Sequence, residues 1–525
     1  MATYSTFSKN SPFPTVLAFN PGHDGAVAVL RKGSLAFLIE AEKNSFPRYT
    51  YAGPGLFLEA MQRMEEPPDV VAVSGWDLDE IRGDNEYFGT SERLTSLKKF
   101  RLFSNTTQIY RSTHERSHIF CSYGLSPFDH GKPCYALTWE GEIGTFYEID
   151  SSLNIKRIDQ VLAAPGYKYS FMFDLADPSR LDGGWRHDAA GKLMALSAYS
   201  THGSQTSEEE AVIHRVLHEI KPPVTLKQPF QGSPYLNCGV TDPGFTEMAG
   251  KFSDAIYDLF YQYAKRNLTK GYPLLISGGC GLNCEWNSRW RNSGIFEDVF
   301  VPPVANDSGS ALGTAIEAQF KVSGRSKIEW DAYRGLDFTM DMRPDDYEEF
   351  DLDYDKVAGL LKSGKVVAWV QGRYEIGPRA LGNRSLLAAP FTDEMKTRLN
   401  YIKGRESYRP IAPVCLSEDG RDHFGADHRL SPHMLYFYKT QTPELRAVTH
   451  VDGSARIQTV TPNENPCLFK LLSAFKKQTG FGVLCNTSLN YSGRGFINRS
   501  SDLFNYSTSK EIEVVVVNNK LYLKR

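Results

Sequence analysis

Residues 111–121 read RSTHERSHIFC, and within them HERSH places two histidines four residues apart. On a helix that spacing sets His114 and His118 on one face, one turn apart, so both imidazoles can reach one metal ion. In a zinc metalloprotease, Glu115 would then be the general base of peptide hydrolysis. Five letters recur by chance, and paired histidines also serve as ordinary core or surface residues. A third ligand must come from elsewhere. Asp307 is one candidate, in the Gly/Ser-rich turn of VPPVANDSGSALG (301–313) at the mouth of a helical pattern. An acid there is either an N-cap or a hard oxygen ligand. With His114 and His118 it would complete a two-histidine, one-carboxylate set suited to Fe(II) or another divalent ion with open positions.

A second constellation spans 372–409, where Arg379, Arg384, Lys403, Arg405 and Arg409 are spaced by Gly and Ser. Arginine forks hold phosphate oxygens bidentately, and Gly turns bring backbone N–H groups to an anion. Arg379 and Arg384 stand among apolar letters (IGPRALGNRSLLAA), where a guanidinium needs an anionic partner. A phosphate site is the expectation, and a solvated basic face the alternative. It is not a Walker A loop, because G-x-x-x-x-G-K-[ST] is absent. Two polar loops, THVDGSARIQTV (449–460) and LCNTSLNYSGRGFIN (484–498), follow strand-like runs and offer the directional hydrogen bonds a nucleotide or acyl group needs. SGGCGLN (277–283) could cradle phosphate or ribose.

These groups need elements to position them. Residues 15–42 read as strands with GHDGA in the first turn; 134–149 (CYALTWEGEIGTFYEI) repeat that plan with an acidic Gly turn. A third strand, PLLIS, runs into Gly-Gly and a helix at 273–284, after a long helix over 244–270. Strand–turn units of this kind predict a duplicated α/β fold with a cleft between its halves. The chain divides as 1–330, a polar linker 331–350, and a second α/β domain 351–525. That domain opens with a helix and strand (KVAGLLKSGKVVAWVQGR) and closes with the hairpin IEVVVVNNKLYLKR.

Composition bounds the rest. The 525 residues, 41% hydrophobic and 23% charged, suit an ordinary globular protein of two or three domains. A net charge of −3 gives no bulk attraction to nucleic acid or membrane, so a polyanion site must be a local patch. No signal-peptide pattern and no apolar run of about 18 residues is seen. The eight cysteines are scattered and none forms C-x-x-C; a reducing, cytoplasmic setting is expected.

The stretches NPGHDGAVAVL, HERSH, HDAAGKLMAL, SGGCGLNC, NDSGSALGTA, EIGPRALGNRSLLA, RPIAPV, SPHML, THVDGSARIQTV and NTSLN occur in order over nearly the whole chain. Together they resemble the O-carbamoyltransferase family, whose members include nodulation-factor, tobramycin and hydroxymethylcephem carbamoyltransferases. The resemblance implies an actin-like/sugar-kinase-type N-terminal domain, similar to the tRNA threonylcarbamoyl transferase, and a YrdC-like C-terminal domain. It implies that carbamoyl phosphate and ATP, with Mg2+, give carbamoyl adenylate in the second domain. The first domain, with an iron-type metal, would then pass the carbamoyl group to a hydroxyl. Carried over to this chain, His114, His118 and Asp307 become metal ligands and His23 a residue of the transfer centre. Lys403, Arg405, Arg409, Arg379, Arg384 and Ser385 line the adenylation site, with Asn486, Thr487, Ser488, Gly278 and Gly279 binding its nucleotide. Relatives carry an Asp in a turn such as DGxGE where this chain has Glu140; a longer arm shifts the carboxylate and leaves its ligand role open. On this reading Glu115 is incidental and the chain is not a protease. A zinc protease, an actin-fold kinase and a non-enzymatic nucleic-acid module remain the rival classes.

The expected acceptor is a primary hydroxymethyl on a heterocycle, with 5-hydroxymethylcytosine in DNA as the narrower expectation and a cephem, aminoglycoside or nodulation-factor substrate as the alternative. ERLTSLKKFRLFSNTTQIYR (92–111) interleaves Arg93, Lys98, Lys99, Arg101 and Arg111 with Phe100, Phe103 and Tyr110. That pattern suits phosphate contact and base stacking, or else a solvated helix face. No membrane partner is expected, and a homodimer is.

Overall fold

Strands β1 (Val16–Asn20), β2 (Ala26–Arg31) and β3 (Ser34–Glu40) are apolar at most positions because both faces of their sheet are covered. In the computed structural model, which describes residues 12–76, 87–102, 105–180, 186–222, 226–427 and 429–525, they head a sheet of six. The others are β4 (Val70–Val73), β5 (Ser96–Leu102) and β6 (Asn105–Arg111). The order is β3-β2-β1-β4-β6-β5. β1–β2 and β2–β3 pair antiparallel, whereas β1–β4 and β4–β6 pair parallel.

A second sheet repeats this plan with β7 (Cys134–Trp139), β8 (Gly144–Ile149), β9 (Ile155–Gln160), β10 (Leu274–Ser277) and β11 (Val299–Phe300). Its order is β11-β10-β7-β8-β9, with β7–β8 and β8–β9 antiparallel and β7–β10 and β10–β11 parallel, as in β1–β2–β3 and β1–β4–β6 of the first sheet. The duplication is therefore real at the level of topology, as an actin-like/sugar-kinase-type α/β domain requires. It makes the β1–β2 turn, which holds His23, equivalent to the β7–β8 turn, which holds Glu140.

The His114–Leu125 helix is buried at every position. Its Phe120, Cys121 and Leu125 join a core with Ala311, Leu312 and Ile316 of the Ser308–Ser323 helix, and Ile119 and Tyr123 pack on β7 and β8. The two helices cross closely: a Cβ at Gly313 would lie 1.8 Å from the Ser117 carbonyl oxygen. The charged pair inside this contact, Arg116 and Glu317, is satisfied by Ser112 and the Thr90 carbonyl.

The third sheet holds β12 (Tyr347–Asp351), β13 (Val367–Val370), β14 (Arg384–Ala388), β15 (Ala412–Leu416), β18 (Gln458–Val460), β19 (Val483–Ser488), β20 (Val514–Val517) and β21 (Lys520–Lys524). A short ribbon of β16 (Tyr438–Lys439) and β17 (Ser454–Ala455) stands beside it. β12 already pairs with β21, so this sheet begins a few residues ahead of 351. Separate apolar clusters cover its two faces. Among the described residues no helix is long and apolar enough to cross a membrane.

The two halves are bolted together by polar contacts. Lys43 Nζ donates to the Gly377 carbonyl (2.8 Å), and Gly377 N–H donates to Glu40 Oε2 (3.0 Å). Asn287 Nδ2 donates to the Leu435 carbonyl at 3.1 Å, and His450 Nε2 lies 2.9 Å from the Ala195 carbonyl oxygen. Gly377 has φ +86°, and a Cβ there would stand 2.2 Å from the Pro303 carbonyl oxygen. Gly377→Ala is therefore expected to cost roughly 1–3 kcal/mol from backbone strain alone, plus the clash. Urea unfolding followed by fluorescence would show it; an unchanged midpoint would mean that the junction is loose.

Candidate active site

α-Helical spacing brings His114 and His118 together as their sequence predicts: their Nε2 atoms lie 3.0 Å apart. Glu140 Oε2 is 3.1 Å from His114 Nε2 and 3.0 Å from His118 Nε2. Asp307 Oδ1 is 3.7 Å and 3.3 Å from the same atoms. Asp307 occupies the N-cap position of the Ser308–Ser323 helix yet makes no capping bond. Its carboxylate faces the histidines instead. All four groups are buried, with ligand atoms within 4.8 Å of one another.

Oxygen and nitrogen donors about 2.1 Å from a common centre stand about 3.0 Å apart when adjacent in an octahedron. The observed separations of 3.0–3.7 Å lie in the range that ligands of one small ion span. Electrostatics agree. Burial opposes charge on His118, but Glu140 and Asp307 outweigh it and carry its pKa up to about 10. Burial likewise works against the Glu140 carboxylate, and the two histidines reverse this and hold its pKa well below the usual range. Two buried carboxylates thus favour a positive charge at this point, and a divalent cation fits the donor set. The longer arm of Glu140 is no obstacle: the β7–β8 turn sets it into the cluster. Gly166 and Gly278 let neighbouring chain approach that turn, since a Cβ on either would come within 2.8 Å of the Glu140 or Trp139 backbone.

Around the cluster, Tyr87 donates to Glu140 Oε1 (2.9 Å) and stacks on His114 at 4.2 Å. Glu115, the would-be protease base, accepts from Gly89 N–H and holds the 87–90 segment in place. His23 sits between Asp24 Oδ2 (3.0 Å from Nδ1) and Asp307 Oδ2 (3.5 Å from Nε2). Burial lowers its pKa, but Asp307 and then Asp24 raise it to about 9. Neighbouring His187 is driven down to about 3 by burial and by charge on His23.

His23, Glu140 and Asp307 line a cavity of about 370 Å³. The C-terminal domain contributes a wall that carries Arg379, Arg405, Arg409, Arg456, Asn486, Thr487 and Ser488, and Gly279 also lines the cavity. Burial, then Arg456, depresses the Arg379 pKa to about 9; burial, then Arg409 and Arg456, does the same to Arg405. Guanidinium groups that disfavour one another in a buried wall form a site for an anion. Among the described residues Arg379 Nε, Arg456 Nε, Asn283 Nδ2 and Asn486 Oδ1 are buried without hydrogen-bond partners. All four residues border the cavity.

Not every residue expected at this wall lies on it. Arg384 is fully buried in β14 and donates to the Gln371, Gly372 and Asn383 carbonyls and to Asn498 Oδ1. Lys403 Nζ donates to Ser488 O and Asn490 O, which fixes the chain after β19. Burial, then neighbouring cations, pushes its pKa well down. Ser385 is buried in the same strand as Arg384. Arg384, Lys403 and Ser385 therefore lie behind the wall, and Gly278, also off the cavity, packs against the Trp139–Glu140 turn instead. Conversely, the sequence reading left out Arg48, Tyr49, His187 and Arg456, all of which line the cavity. His187 and Arg456 fall in HDAAGKLMAL and THVDGSARIQTV, and Arg48 and Tyr49 end EAEKNSFPRY, which resembles the hydroxymethylcephem branch; motif context is the available signal for all four.

Comparison with known proteins identifies the family. The family model Carbamoyltransferase C-terminus matches residues 358–524, and Carbamoyltransferase N-terminus matches 258–316. The chain is 46% identical to a 3'-hydroxymethylcephem-O-carbamoyltransferase of Streptomyces clavuligerus, over 97% of this chain and 98% of that protein. It is 31% identical to Nodulation protein U of Sinorhizobium fredii, over 90% and 93% of the two chains. Among solved structures, full-length HypF in its phosphate- and nucleotide-bound form aligns at 13% identity and a TM-score of 0.31. That alignment covers 60% of this chain and 56% of that one, and is too distant to support an argument. Likeness to two separately named relatives over nearly their full lengths decides the matter: the chain belongs to the carbamoyltransferase family.

Proposed function

We propose that the protein is an ATP-dependent O-carbamoyltransferase whose two half-reactions share one cavity. The observation that supports this is that Glu140 and Asp307 of the four-residue cluster and the arginines of the C-terminal domain border one cavity. In the first half-reaction, water releases phosphate from carbamoyl phosphate to leave carbamate. A carbamate oxygen then displaces pyrophosphate from the α-phosphorus of ATP, giving carbamoyl adenylate. Arg379, Arg405, Arg409 and Arg456 meet the gathering phosphate charge, which Mg2+ accompanies. Asn486, Thr487 and Ser488 orient the nucleotide by hydrogen bonding.

In the second half-reaction an acceptor hydroxyl attacks the carbamoyl carbon, the bond to the AMP oxygen breaks, and the hydroxyl's proton leaves with the AMP phosphate. Fe(II) or another divalent ion held by His114, His118, Glu140 and Asp307 would supply Lewis acidity there. His23, fixed between Asp24 and Asp307, is set to orient the carbamoyl group as a hydrogen-bond donor.

The fate of ATP tests the reading. Incubation with carbamoyl phosphate and an acceptor should yield AMP and pyrophosphate, and labelled carbamoyl should appear on the acceptor. ADP with a phosphorylated acceptor would instead identify a kinase.

For the acceptor, the name of the 46% identical relative supports a primary hydroxymethyl on a heterocycle. The narrower proposal is 5-hydroxymethylcytosine in DNA, supported by the exposed basic strand β5. A small natural product such as a cephem is the alternative, and mass spectrometry of both acceptor types after reaction separates them.

A further inference from the structure

We infer that the free edge of β5 is a polynucleotide-docking surface that presents an acceptor strand to the cavity; this rests on the DNA reading above. Among the described residues β5 ends its sheet, pairing with β6 on one side only. It is a strand, not the helix face considered for this stretch, and Lys98, Lys99, Phe100 and Arg101 are all exposed along it.

Lysines on an edge strand have a plain explanation, since they discourage edge-to-edge aggregation. That explanation does not cover Phe100, 51% exposed, or Leu97, 43% exposed. An edge built only to repel would leave such side chains out. Successive strand residues face opposite ways, so Lys98 and Phe100 share one face and Lys99 and Arg101 the other. An aromatic ring amid cations is what single-stranded nucleic acid meets in its binding grooves: charge for phosphate, a π-face for a base. No salt bridge engages Lys98 or Lys99 among the described residues. With a net charge of −3, the protein can attract a polyanion only through such a patch. Tyr110, read in the sequence as a further stacking ring, is 1% exposed and belongs to the core; Phe103 lies outside the described residues.

Position links this edge to the site. Ser96 pairs with Arg111. Beyond Arg111 the chain passes through Thr113, the N-cap, into the helix that starts at His114. Lys98 and Lys99 therefore lie about 7–10 Å along the strand from its site-facing end. On the other side Tyr87, which lines the cavity, leads through the Glu92–Leu94 turn into β5. The edge is continuous in sequence with the metal-cluster helix on one flank and the cavity wall on the other. Base chemistry needs an unstacked nucleotide, so a single strand is the form this edge accommodates.

The test uses a single-stranded oligodeoxynucleotide containing 5-hydroxymethylcytosine, the free 5-hydroxymethyl nucleoside, and the double variant Lys98→Glu/Lys99→Glu. The variant should raise KM for the oligonucleotide tenfold or more. It should also make the log–log dependence of affinity on salt shallower by about 1.4, two lost phosphate contacts at about 0.7 each. KM for the nucleoside and the rate of carbamoyl adenylate formation should not move, which also shows that the variant is folded. Phe100→Ser should raise oligonucleotide KM without changing the salt slope. Oligonucleotide carbamoylation that is unaltered in the double variant, with an unaltered salt slope, would overturn the surface while leaving the DNA acceptor standing. No carbamoylation of any oligonucleotide, with a small hydroxymethyl heterocycle as the working acceptor, would overturn both.

Discussion

Replacing His118 with alanine is expected to abolish carbamoyl transfer while carbamoyl-phosphate-dependent cleavage of ATP continues. His118 Nε2 is within 3.3 Å of His114, Glu140 and Asp307, and the side chain is 1% exposed. Its loss leaves two buried carboxylates with one imidazole fewer to set against them, and a metal site with one ligand fewer. Bound divalent metal per chain, read by elemental analysis, should drop sharply. Acceptor carbamoylation should fall by at least about a hundredfold, as expected when roughly 3 kcal/mol or more of transition-state stabilisation is removed. Pyrophosphate release should survive because the arginine wall belongs to the other domain. Equal loss of both half-reactions in a folded variant would place the metal in the wrong step; unchanged metal content would dissolve the four-residue site.

Arg405→Ala should do the opposite. Arg405 lines the cavity with Nε donating to Asn400 Oδ1 at 2.6 Å, which fixes the guanidinium in orientation. Losing one charged partner of a buried phosphate costs about 2–5 kcal/mol. At about 1.4 kcal/mol per tenfold, carbamoyl adenylate formation should slow some thirtyfold or more. Burial and the neighbouring Arg409 and Arg456 already depress its pKa, so the variant relieves repulsion in the free protein. Thermal stability should hold or rise while activity falls, the pattern of a residue kept for function. Arg384→Ala provides the contrast. Its side chain ties together carbonyls of the 371–383 segment and Asn498, so that variant should lose stability first. An Arg405→Ala protein that forms carbamoyl adenylate at the normal rate would show that the arginine wall is not the adenylation site.

Local order was legible in the chain. The β1–β2 and β7–β8 turns, the long Pro243–Asn267 helix and the final hairpin around Asn518 and Asn519 follow from apolar runs broken by Gly, acids and Asn. HERSH specified its own pair, because i and i+4 on a helix share a face wherever the helix is put. The family resemblance named the partners. Residues 92–111 were ambiguous because charged side chains interleaved with aromatics satisfy the 2-residue and 3.6-residue periods about equally; pairing with β6 decides for a strand.

What the sequence could not determine is which groups face the cavity. Asp307 reads equally as an N-cap or a ligand, and only the opposing helix and the β7–β8 turn show its carboxylate turned toward two histidines. Arg384 and Arg405 look alike in a basic stretch, yet one is spent on backbone carbonyls and the other borders open space. Arg48 and Tyr49 join the site from a segment with no periodic signal. Amino-acid type and spacing determine what a short element can present, because those are local properties of one chain segment. Whether a charge meets a ligand or a carbonyl depends on where segments hundreds of residues apart are brought together, and that is settled by packing between the two domains.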